Sequence, residues 1–139
     1  GDYLPALRAR LRQERRVNVL PAVDLDVRMQ PWPVAKFGAI YSANTLHFMS
    51  EGCAEDFFEG VAAALDSGGR LLVYGPFRYG GKFTSSSNAN FDEWLKASDP
   101  ARGIRDIEWV QGLAARQGFD AIADVSMPAN NQLLVWQLS

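Results

Sequence analysis

Apolar positions along this chain change spacing several times, and the changes mark its elements. Over residues 3–15, Leu4, Leu7 and Leu11 share one helical face while arginines take the others, so the spacing predicts an amphipathic helix. Residues 17–20 are short and β-branched, ended by Pro21, and residues 23–27 alternate as Val-Asp-Leu-Asp-Val. Both suit short strands or the turn after one. Residues 30–34 (QPWPV) read as loop, because each proline pushes its predecessor out of the helical region. Residues 37–43 are the near-continuous apolar run expected of a strand covered on both faces.

Helical spacing returns over residues 53–65, with Phe57, Phe58, Val61, Ala62 and Leu65 inward and Gly68-Gly69 as the stop. Residues 70–74 (RLLVY) predict another buried strand. Residues 75–100 form a long connection carrying a short helix at 91–97, anchored by Phe91, Trp94 and Leu95. A helix follows over 104–117, with Asp106 as its cap, and then strands over 119–125 and 132–138. The turn at 127–131 (MPANN) is too short for a crossover, so those two strands must pair antiparallel. Strands alternating with helices predict one α/β domain over residues 1–139, its sheet mostly parallel and covered on both faces, with a reversed last strand.

Composition narrows the function classes. A net charge of −2 supplies no global basic field, so neither nucleic acid nor an anionic membrane is an expected partner. No apolar run approaches the ~18 residues of a membrane helix. Cys53 is the only cysteine, which precludes an internal disulfide and fits a cytoplasmic protein. One histidine beside Asp24 and Asp26 is a poor metal set, and no metal is expected. The nucleophile elbow and the phosphate loop both lack their motifs.

Ligands of open parallel sheets bind beyond the carboxyl ends of the strands. That rule gathers Asp26, the pair Asn44 and His47, the run from Tyr74 to Phe77, and Asn130-Asn131 on one rim. In the long connection, Gly80-Gly81 can hinge, while Phe77, Tyr79 and Phe83 can cover a ligand. Ser87, Asn88 and Asn90 can hydrogen-bond one. Tyr74, Phe77, Asn88 and Asn130 are the candidate contacts to a small-molecule substrate.

Six motifs then stand in a distinctive order: LDV at 25–27, ANTLHFMS at 43–50, YGPF at 74–77, SNANFD at 87–92, GIRD at 103–106 and MPANN at 127–131. In this the chain resembles the methyltransferase-like family called domain of unknown function 938, which includes the methyltransferase-like 26 proteins. That family is in turn similar to class I S-adenosylmethionine (SAM)-dependent methyltransferases. The resemblance implies a Rossmann-like sheet with SAM as cofactor. It implies that Asp2 holds the ribose hydroxyls and that Asp26 with Val27 faces the adenine. Ala43 and Asn44 would then lie beside the methionine part, and His47 on the substrate side, accepting a proton or orienting a hydroxyl. It further implies a first strand and a glycine-rich turn upstream of Asp2, which this sequence does not contain. A chain truly lacking them is expected to expose sheet edges and form a homodimer. The expected activity is methyl transfer to an unidentified small molecule; the alternative is a truncated, non-catalytic remnant of the fold that dimerises or binds a small ligand.

Overall fold

A computed structural model describes residues 3–139. Helix α1 (Leu4–Glu14) precedes a long irregular segment and strand β1 (Phe37–Ala43). Helix α2 (Glu51–Ala64), strand β2 (Leu65–Gly75), helices α3 (Ser86–Ser98) and α4 (Ile107–Arg116), and strands β3 (Phe119–Met127) and β4 (Asn131–Leu138) follow. Single 3-10 turns occur at Leu46–Phe48 and Pro128–Asn130.

The strands lie in the order β1-β2-β4-β3. β1 runs parallel to β2, and β4 runs antiparallel to both β2 and β3. Three strands therefore share one direction and the last is reversed, as the MPANN turn requires. Phe57, Phe58 and Val61 of α2 and Val110 and Leu113 of α4 bury against Leu71, Val73, Leu134 and Trp136 of the sheet. Phe58 meets the Trp136 ring edge-on at 5.7 Å, an arrangement that aligns the ring quadrupoles favourably.

The local signals explain most boundaries. Ser50 caps α2 by accepting the Cys53 N–H at 3.2 Å, which starts the helix earlier than its apolar spacing suggests. α2 passes directly into β2 at Leu65, so Gly68 (φ 79°) and Gly69 lie inside the strand and do not terminate the helix. Ser85 caps α3 in the same way, accepting the Asn88 N–H at 3.1 Å, and the helix is almost twice as long as predicted. Asp106 stands at the N-cap of α4, yet its side chain makes no cap bond, because Arg78 takes both of its oxygens.

Two expectations are corrected. Residues 17–27 form no strand. A β-rich sequence becomes a strand only when a neighbour accepts its ladder hydrogen bonds, and no described strand pairs with this segment. Nor is β1 covered on both faces: among the described residues it pairs with β2 alone, and most of its residues are exposed. Among the described residues, cover comes chiefly from α2 and α4 on one face, while α1 buries none of its side chains.

Candidate functional site

The rim forms where β1 stops. Asn44 adopts φ 56°, a left-handed conformation that asparagine tolerates better than most residues, and its N–H donates to the Tyr74 carbonyl at 2.8 Å. Ala43 pairs with Tyr74 in register, so the ends of β1 and β2 stay side by side. The 3-10 turn then folds His47 inward beneath exposed Asn44. Gly75 completes the group. A Cβ placed there would lie 3.7 Å from His47 Nδ1 and 3.9 Å from Asn44 Oδ1.

His47 is only 4 % exposed, with Phe48 at 4.8 Å and Phe91 at 5.3 Å between ring centroids. Its imidazole has no hydrogen-bond partner among the described residues. Burial, helped by the Arg105 charge, lowers its pKa to about 4. The ring is therefore neutral at pH 7.

The loop from Arg102 to Asp106 clamps this turn from behind. Gly103 N–H donates to the His47 carbonyl at 3.0 Å, and Arg105 Nη2 donates to the Met49 carbonyl at 2.6 Å. Arg102 lies over the Phe48 ring at 5.4 Å. Buried Asp92 of α3 secures the loop in turn, accepting the Ile104 N–H at 2.8 Å while pairing with Lys96 at 2.7 Å. Gly103 has φ 155°, and a Cβ there would stand 3.0 Å from Asp92 Oδ1, so the position suits glycine. Arg78, just after the YGPF motif, donates to Asp106 at 2.8 and 3.1 Å and closes the assembly. Asp92, Gly103 and Arg105 were visible in the motifs but carried no assigned role; nothing local in sequence shows that they meet His47.

The Asp26 side is an open cleft of about 1020 Å³ whose walls include Asp26, Val27, Phe48, Met49, Ser50 and Cys53. Arg28 donates from Nε (2.9 Å), Nη2 (2.6 Å) and its backbone N–H (3.0 Å) to the Asp26 carboxylate. Those bonds lower the Asp26 pKa to about 2, so it is an anion at any physiological pH. Trp32, which the sequence offered only as loop, fixes this wall. Its indole N–H donates to the Val27 carbonyl at 3.3 Å, and its ring lies on Gly60 of α2 so closely that a Cβ there would come within 2.1 Å.

Asn88 and Asn130 are brought together as well. Buried Asn88 donates through Nδ2 to Thr84 Oγ1 at 3.1 Å and to the Asn130 carbonyl at 3.2 Å, pinning α3 to the left-handed MPANN turn. That amide is used in holding the fold. Tyr74 is half-buried and contributes its carbonyl to Asn44. Phe77 is corrected: at 2 % exposure it belongs to the hydrophobic core and presents no face to a substrate. Asp2 lies outside the described residues. Among the described residues no three histidine, cysteine or carboxylate side chains gather as a metal set, and no helix is long and apolar enough to cross a membrane.

Solved structures share this architecture. The pyocyanin biosynthetic protein PhzM matches over 100 % of this chain and 41 % of its own, with a TM-score of 0.80 and 19 % identity. PigF, solved with SAH, gives a TM-score of 0.81 at 15 % identity, over 99 % of this chain and 41 % of PigF. Human N-acetylserotonin methyltransferase, solved with SAM, gives 0.69 at 15 % identity, over 84 % of this chain and 33 % of the enzyme. Such identities show the fold, a Rossmann-like methyltransferase sheet, and the chain spans about two fifths or less of each protein's length. The family described as protein of unknown function DUF938 matches residues 2–138, and the chain belongs to that family.

Proposed function

We propose that this chain carries the substrate-side part of a SAM-dependent methyltransferase acting on a small molecule, within the group of the methyltransferase-like 26 proteins. The observation that carries the reading is the convergence of the motifs. ANTLHFMS, YGPF, SNANFD, GIRD and MPANN are joined by hydrogen bonds around the ends of β1 and β2, and LDV faces ANTLHFMS across the cleft. Solved proteins of the same fold hold SAM or SAH, which supports an S-adenosyl group as the ligand of the Asp26–Asn44 side.

Methyl transfer breaks the bond from sulfur to methyl and forms one from methyl to the acceptor atom; the protein's main task is alignment. SAM supplies the electrophilic methyl. Neutral His47, buried between Phe48 and Phe91 and held by Gly103, supports the rim from below and serves as a positioning residue for the groups that meet the acceptor. At a pKa of about 4 it is a weak base, so orientation suits it better than proton removal. Incubation with SAM and a pool of small metabolites, read by mass spectrometry for S-adenosylhomocysteine, tests the reading. Release above the protein-free rate is expected, and a folded protein that releases none contradicts it.

One observation favours the second reading, a non-catalytic member that pairs with a copy of itself. The outer edge of β1 is unpaired among the described residues, and Phe37 and Tyr41 are 38 % and 62 % exposed along it.

A further inference from the structure

We propose that the cavity on the outer side of the 102–106 loop binds a small oxyanion, the phosphate or carboxylate group of a small molecule. The cavity measures about 340 Å³ and is lined by Arg78, Lys96, Arg102 and Arg105, against which stand only two carboxylates, Glu51 and Asp106. The cations differ in what neutralises them. Arg78 is matched by Asp106, and Lys96 by Asp92 at 2.7 Å. Arg105 spends Nη2 on the carbonyls of Met49 and Ala101, each at 2.6 Å, and reaches Glu51 only at 3.8 Å. Arg102 has no carboxylate partner among the described residues. The one hydrogen bond its side chain makes to the described residues is a long 3.4 Å contact to the Ser98 hydroxyl, and its guanidinium is held over the Phe48 ring.

Hydrogen-bonding capacity is left over at the same two residues. The Nε atoms of both Arg102 and Arg105 are shut off from solvent and meet no acceptor. A buried charged donor without a partner is costly, and an oxyanion beside these guanidinium groups supplies acceptors and countercharge. The site does not rest on methyl transfer: the charge imbalance exists whatever reaction the chain performs. Its position links it to the cleft all the same, because Phe48 forms a wall of that cleft and bears Arg102 on its ring. Filling the cavity would therefore fix the turn that holds His47.

The test is a titration of uniformly ¹⁵N-labelled protein with inorganic phosphate at constant ionic strength, following the arginine Nε–H signals. Parallel arms use acetate and chloride. Saturable movement of the Arg102 and Arg105 signals is expected with phosphate or with acetate, and the arm that moves them identifies the group. Arg102→Gln should raise the half-saturation concentration roughly tenfold or more, as loss of a charge-assisted bond predicts. Arg102→Lys, which keeps the charge, should raise it less and provides the comparison if the glutamine variant does not fold. No movement in wild type, movement matched by chloride, or equal affinity in the variants overturns the proposal.

Discussion

Asn44 and His47 divide the work of the rim between backbone and side chain, and the division can be measured. Asn44 holds φ 56° at the end of β1, so Asn44→Gly should leave stability nearly unchanged, while Asn44→Ala should lose about 1 kcal/mol in urea unfolding. Equal losses would show that the amide, not the backbone, sustains the turn. His47 predicts a pH dependence with a definite sign. Its folded pKa of about 4 lies below the usual 6.5, so the unfolded chain takes up a proton that the folded ring refuses. Stability from this source is complete above pH 6.5 and declines as pH falls toward 4. It should cost on the order of 2 kcal/mol by pH 4.5. Urea titrations at pH 7 and 4.5 should show a smaller loss in His47→Gln than in wild type. If the two proteins lose the same amount, burial of the imidazole is not the cause. In turnover, His47→Gln should lower kcat roughly 10- to 100-fold with SAH affinity preserved, the signature of an orienting group.

At the scale of elements, the hydrophobic spacing identified all four α-helices and all four strands, although it started α3 and β2 five residues late, and the MPANN turn correctly implied the last strand's reversal. Where it failed, the missing information was tertiary. Residues 17–27 look like strands because of Val17, Val19 and the Val-Asp-Leu-Asp-Val alternation, yet a strand needs a partner edge that sequence does not reveal. Phe77 fits a ligand cover as well as a core, because aromatic residues serve both; its burial in the hydrophobic cluster decides for the core. The rim itself was legible, since strand direction alone gathers Asn44, His47, Tyr74 and Asn130. The clamp from Gly103 and Arg105 was not, because those contacts join residues more than fifty positions apart. The Trp32–Gly60 contact ties the Asp26 loop to α2, so Gly60→Ala should expel the indole. We expect about 1–3 kcal/mol of destabilisation and weaker SAH binding, measured by urea unfolding and calorimetry. An unchanged protein would mean that the loop does not depend on Trp32.

Taken together, the sheet carries its polar motifs at one end and, among the described residues, an unpaired β1 edge along one side. These features belong to different readings. If β1 pairs with a second copy, light scattering should report a dimer, and Tyr41→Lys on the exposed edge should shift it toward monomer. If the rim instead serves catalysis, the S-adenosyl ligand must bind there whatever the oligomeric state. Calorimetric titration of the folded protein with S-adenosylhomocysteine tests that claim most directly. The account predicts saturable heat, weakened by Asp26→Asn and little affected by His47→Gln. Absence of heat at millimolar ligand would contradict it and leave the chain a non-catalytic member of the methyltransferase fold.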